Sequence, residues 1–135
     1  MAYSGGFVVI LMMTTIPFQM VLAVAGVRRG DVPAMYVFGD STMDVGNNNY
    51  LPGDFPRANR PYYGVDFPVC TPTGRWSNGY TIADFVAKAL GLKRSPPAYL
   101  SLTPRTCRSI VKGVRGVSYA SAGAGILDST VTLGL

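Results

Sequence analysis

The sequence predicts an α/β fold organised on a parallel sheet, and three stretches carry that reading. Ala34 to Phe38 is a short apolar run rich in strand formers, with Pro33 before it and Gly39 after it. Such a continuous apolar run is what a buried parallel strand looks like. Asn78 to Leu90 places Ile82, Phe85, Val86, Ala89 and Leu90 on one helical stripe, at the i, i+3, i+4, i+7, i+8 spacing of an amphipathic helix. Val114 to Ala120 reads as a second strand that opens into the small-residue exit Ser121-Ala122-Gly123-Ala124-Gly125. Strand, helix and strand in that order form a crossover unit, right-handed as such units nearly always are.

Taken in order, Met1 to Val27 contains no charged side chain, and Ala23-Val24-Ala25 has the small-x-small pattern of a cleavage site. Residues 1–25 are therefore read as a secretory signal peptide, with residues 26–135 as the body of the protein and an extracellular destination. The alternative is an uncleaved anchor, since Phe7 to Val27 almost suffices to span a bilayer. Thr14, Thr15, Pro17 and Gln19 interrupt it. Arg28 and Arg29 follow the segment, where a signal has its positive side chains in front.

Gly39 permits a tight turn at the end of the first strand, and Ser41-x-x-Asp44 has capping-box spacing. A serine at the carboxyl end of a parallel strand faces the crevice where α/β folds bind ligands. Free backbone N–H groups there can stabilise a developing oxyanion. The plainer reading stands beside this one: Ser41 caps a helix and Asp40 makes a turn.

Leu51 to Pro72 is too dense in Pro, Gly, Asn and Asp for a regular element. Its aromatics Phe55, Tyr62, Tyr63 and Phe67 either line an acyl or aryl pocket or pin the loop to the domain. The helix that follows is expected to be capped by Ser77 or Asn78 and ended by Gly91, with its stripe packed on the sheet. Tyr99 to Leu102 reads as a short extended piece. Lys88 to Arg115 holds seven basic residues, and no acidic residue lies between Lys88 and Leu127. A solvated face is expected there, an anionic partner being the alternative; no nucleic-acid motif accompanies it, so nucleic acid is not expected as a partner. The two cysteines, Cys70 and Cys107, show no metal-ligand spacing, and whether they pair is left open.

Five ordered blocks carry a resemblance to a known family. They are Phe38-Gly39-Asp40-Ser41 with Asp44 and Gly46-Asn47-Asn48-Asn49; Tyr63 to Pro68; Thr71 to Gly79; Ile82 to Phe85; and Tyr119 to Leu127. Together they resemble the N-terminal portion of plant GDSL esterase/lipases, of the SGNH hydrolase superfamily. Thr42 stands where the family's name puts leucine, and Ser118 where an asparagine is usual. The resemblance implies an incomplete three-layer α/β/α, flavodoxin-like parallel sheet. It implies Ser41 as nucleophile, with the N–H groups of Ser41 and Gly123 as the oxyanion hole and Gly39, Asp40 and Asp44 supporting the turn. It implies an ester or lipid substrate, an acyl-serine intermediate, and neither metal nor cofactor. A membrane is a partner only if the N-terminal segment stays uncleaved; the oligomeric state is left open.

The sequence contains no histidine. A serine hydroxyl needs a base to take its proton, and the family's histidine, its aspartate and the asparagine of the oxyanion hole have no matching block. The expectation is a truncated domain that hydrolyses little alone and folds weakly, with open sheet edges. The alternative is a non-catalytic secreted fragment or binding remnant. A carbohydrate-binding module, supported only by the aromatic loop, ranks last.

Overall fold

The computed structural model describes residues 9–11, 32–111, 116–127 and 130. Of the segment read as a signal peptide, only strand β1 (Val9–Leu11) falls among them; the cleavage pattern lies outside the described residues, as does the stretch from Val131 to Leu135. Strand β2 (Met35–Val37) occupies the middle of the apolar run and pairs in parallel with β1, Ile10 opposite Tyr36.

The other edge of β2 is taken by the second apolar run. Val37 N–H donates to the Val117 carbonyl at 3.0 Å, Tyr119 N–H to the Val37 carbonyl at 2.7 Å, and Ser121 N–H to the Gly39 carbonyl at 3.0 Å. These alternating bonds make residues 117–121 a parallel neighbour of β2. The far edge of that run pairs with 97–99: Ser118 N–H donates to Pro97 and Tyr99 N–H to Ser118. Gly116 starts the run against the β2 backbone, and a Cβ there would lie 1.5 Å from the Met35 carbonyl oxygen.

Helix α1 (Ile82–Ala89) is shorter than expected, and Thr81 caps it instead of Ser77 or Asn78. Thr81 and Asp84 form a capping box in which the Asp84 carboxylate accepts the Thr81 N–H at 2.8 Å. Its buried face also differs from the expected stripe. Ala83, Ala87 and Leu90 are buried in the core with Val86 beside them, whereas Ile82 and Phe85 are 39% and 59% exposed. The reason is Asp84, which is pulled inward under the Arg75 guanidinium and takes Ala83 and Ala87 with it.

The crossover also has one more step than the sequence suggested. Helix α1 leads to the short pairing at Ala98 and the 3-10 turn Tyr99–Ser101. Helix α2 (Pro104–Val111), absent from the sequence reading, comes before the 117–121 run. The core between sheet and α1 is Val32, Met35, Val37, Met43, Val45, Ala83, Ala87, Leu90, Ala98 and Ala120. Among the described residues no helix is long and apolar enough to cross a membrane.

Candidate active site

β2 delivers the chain into a turn at its carboxyl end, at Gly39. The backbone there has φ +147°, a region an L side chain rarely adopts. The turn then closes on Asp40 rather than on Ser41. The Asp40 carboxylate accepts the Thr42 N–H at 2.9 Å and its hydroxyl at 2.8 Å, while the Asp40 carbonyl accepts the N–H groups of Met43 and Asp44. This corrects the expected Ser41–Asp44 capping box: the local cap is Asp40, and no α-helix follows directly. Ser41 is left half-buried beside the cap, and among the described residues its hydroxyl has no hydrogen-bond partner.

Asp44 has a wider reach than one turn. Fully buried, its carboxylate accepts the N–H groups of Gly46 and Asn47, each at 2.7 Å, which open the 3-10 helix Asn47–Tyr50. Its other oxygen accepts the Ala122 N–H at 3.1 Å. One side chain thus ties the serine turn to the exit of the 117–121 run. Charged acceptors of backbone N–H groups make the stronger class of hydrogen bond.

Two asparagines that sequence reasoning quoted without a role complete this brace. Asn47 donates to the carbonyls of Ser118 at 2.8 Å and Ala120 at 2.7 Å, and its oxygen accepts the Leu100 N–H at 3.0 Å. Asn48 donates to the carbonyls of Ala122 at 3.0 Å and Pro56 at 3.1 Å, and accepts the Ser121 hydroxyl. The signal for them was the triple asparagine itself, since amides can serve backbone donors and acceptors at once. The side chain of Ser118 takes no part: its buried hydroxyl is without a partner among the described residues. The exit turn is braced by Asn47, Asn48 and Asp44 instead.

Gly123 lies in that exit turn with φ +85° and nothing within 4 Å of where a Cβ would stand. Three N–H groups around it are engaged: Ser121 to Gly39, Ala122 to Asp44, Ala124 to Ser121. The Gly123 N–H has no acceptor among the described residues, and neither has the Ser41 N–H. The turns that carry these two groups are side by side, joined by the Ser121–Gly39 and Ala122–Asp44 bonds.

Around the site, Phe38 stacks on Tyr119 with ring centroids 5.2 Å apart, and Tyr99 continues the row at 5.0 Å. In the long loop, Tyr63 packs edge-on against Trp76, and Phe67 against Tyr80, with the Arg75 guanidinium 4.7 Å over the Phe67 ring. These two aromatics pin the loop, whereas Tyr62 is 84% exposed. Arg75 also forks onto Asp84 at 2.8 and 2.9 Å, and Ser95 donates to Asp84 at 2.7 Å. Burial raises the Asp84 pKa, but the bonds from Arg75, Ser95 and the Thr81 backbone, with the Arg75 charge, outweigh it and hold it below its usual 3.8. Cys70 and Cys107 are free thiols, Cys70 exposed and Cys107 half-buried. Among the described residues no cluster of His, Cys, Asp or Glu is placed to hold a metal ion.

Residues 35–134 match the family described as GDSL-like Lipase/Acylhydrolase. Curated relatives agree. One GDSL esterase/lipase of Arabidopsis thaliana is 50% identical over 105 residues, 76% of this chain and 28% of the relative. A second from the same plant is 42% identical over 123 residues, 87% of this chain and 33% of the relative. A third is 50% identical over 95 residues, 70% of this chain and 25% of its own length. The chain thus spans about a quarter to a third of the length of these relatives. No solved structure gives a significant match.

Proposed function

The chain belongs to the plant GDSL esterase/lipase family, and from that premise we propose that it carries the nucleophile and oxyanion half of a serine ester hydrolase. Ser41 attacks the carbonyl of an ester; the carbonyl oxygen takes up the negative charge; the alcohol leaves and an acyl-serine remains for water to release. The N–H groups of Ser41 and Gly123 receive the oxyanion. The observation that carries this reading is the pair of N–H groups without acceptors among the described residues, on turns held side by side by the Ser121–Gly39 and Ala122–Asp44 bonds. Donors already oriented where charge develops are worth about 3–4 kcal/mol each in the transition state. Asp40 and Asp44 fix the turn and move no proton, because both carboxylates are occupied by N–H and O–H donors. The substrate is a carboxylic ester of lipid, acetyl or cutin type, the fold the three-layer α/β/α arrangement of the superfamily, and the destination extracellular.

A second reading is favoured by one specific fact. The 135 residues include no histidine, and the hydroxyl of Ser41 touches no base among the described residues. Removing a triad histidine costs on the order of 10⁶ in turnover in subtilisin. As written, the chain therefore hydrolyses esters at close to background rate, and a binding remnant is the alternative role. The test is hydrolysis of a short-chain aryl ester by the full chain and by its Ser41→Ala variant, with and without added imidazole as a replacement base. A Ser41-dependent increment that appears with imidazole supports the hydrolase half-site. Equal rates for the two proteins under both conditions would leave only the non-catalytic reading.

A further inference from the structure

We propose that the cleft at the end of the sheet where the strands begin, opposite the serine turn, binds single-chain amphiphiles with a carboxylate head. The cleft has a volume of about 820 Å³ and includes Ala34 and Met35 at the start of β2 and Gly116 at the start of its neighbour. Ser41 and Gly123 lie beyond the opposite ends of these strands. A cleft of this size suits a small organic ligand.

Its lining divides by chemistry. Val45, Leu92, Pro96 and Ile110 give it apolar surface, none of them exposed. Lys93, Arg94 and Arg105 also line it, and all three are exposed. The fourth cation of the cleft, Arg75, is spent on Asp84. Among the described residues Lys93, Arg94 and Arg105 form no ion pair, and no carboxylate is among the lining residues. Three of the cleft's hydroxyls are engaged as donors, Ser95 to Asp84, Ser101 to the Ala98 carbonyl and Thr106 to the Thr103 carbonyl, and Thr73 accepts from Arg75. A head group is therefore met first by three cations that no carboxylate of the lining neutralises. That favours an ionised, acceptor-only head over a sugar or an alcohol, with the alkyl chain laid on the apolar lining. Chain burial supplies affinity per methylene and the three cations supply selection for charge. Two of them sit on the loop after α1 and one on the first turn of α2, so the head is held between two elements.

The test is isothermal titration of the full chain with decanoate, below its micellar concentration, beside acetate and octyl glucoside as head-only and tail-only probes. Decanoate is expected to bind at least about tenfold more tightly than either probe, and more weakly as salt rises from 50 to 500 mM. The triple variant Lys93→Gln/Arg94→Gln/Arg105→Gln is expected to lose about tenfold or more, three exposed pairs at the usual worth of each. These side chains are exposed, and an unchanged far-ultraviolet circular dichroism spectrum establishes that the variant is folded. Equal binding of acetate reduces the site to a simple anion patch and overturns the proposal. Equal binding of octyl glucoside, salt-independent decanoate binding, or an unaffected triple variant overturns it as well. Ser41→Ala is expected to bind decanoate as the unmodified chain does; loss in that variant would move the site to the serine turn and also overturn it.

Discussion

Arg75→Met is the perturbation whose size follows most directly from the structure. Arg75 and Asp84 have side chains only 13% and 6% exposed and meet through two bonds of 2.8 and 2.9 Å. Removing the guanidinium leaves a buried carboxylate with only the Ser95 hydroxyl and the Thr81 N–H and hydroxyl as donors. Breaking a buried pair from one side costs about 3–5 kcal/mol, and the three surviving donors place this case at the low end, about 3 kcal/mol. The same guanidinium covers Phe67 and bonds Thr73, so the loop Leu51–Pro72 loosens with it. With a urea m-value of about 1.5 kcal/mol/M for a domain of this size, the unfolding midpoint falls by about 2 M. The assay is a urea titration followed by the fluorescence of Trp76, the single tryptophan and the neighbour of Arg75 in the chain. The sign of the pH response provides a second readout. Asp84 has a lowered pKa in the fold, so its contribution is present above the unfolded value of about 3.9 and is lost as pH falls through the lower folded value. Without Arg75 the effect of burial on Asp84 is less opposed, and the loss of stability on acidification below pH 4 shrinks or reverses. A midpoint shift below about 0.5 M, with an unchanged acid profile, would refute the assignment of this pair as the anchor of α1.

Three further outcomes follow. Asn47→Ala removes three bonds and strands the Ala120 carbonyl and the Leu100 N–H, while the Ser118 carbonyl keeps the Tyr99 N–H, a loss of about 2–4 kcal/mol, measurable in the same urea titration. Gly116→Ala sets a Cβ 1.5 Å from the Met35 carbonyl oxygen; the run must leave β2, and the soluble yield is expected to collapse. Asp44→Asn keeps one acceptor oxygen where two now serve three N–H groups, and amide exchange at Ala122 is expected to speed up by about tenfold or more for about 1.5 kcal/mol lost.

Continuous apolar runs were the legible part of the fold. Ala34, Met35 and Val37 of the first run and Val117, Ser118 and Ala120 of the second are buried in a parallel ladder, so composition alone points to these runs, and the described part of each lies where the sequence put it. The face of α1 was not legible in the same way. Hydrophobic size favours Ile82 and Phe85, but an ion pair between residues nine apart rotates the small residues inward, and periodicity carries no record of a partner outside the helix. Helix α2 was missed because its apolar positions are sparse and its charges basic. Its one local signal was Thr103-Pro104, a capping residue followed by proline at the first helical position, and Thr103 and Thr106 do bond reciprocally there. At the candidate site the serine turn and the glycine exit were visible as motifs. The brace between them was not, since Asn47 and Asn48 act on carbonyls more than seventy residues away.

The half-site stands or falls on whether the two uncommitted N–H groups receive the same oxygen. The direct measurement is the amide spectrum of ¹⁵N-labelled protein titrated with an alkyl boronic acid, which forms a tetrahedral adduct on an attacking serine. Concerted shifts of the Ser41 and Gly123 amides, absent in Ser41→Ala, are the expected result. An adduct on Ser41 that leaves the Gly123 amide unmoved, or shifts that persist in Ser41→Ala, would contradict it.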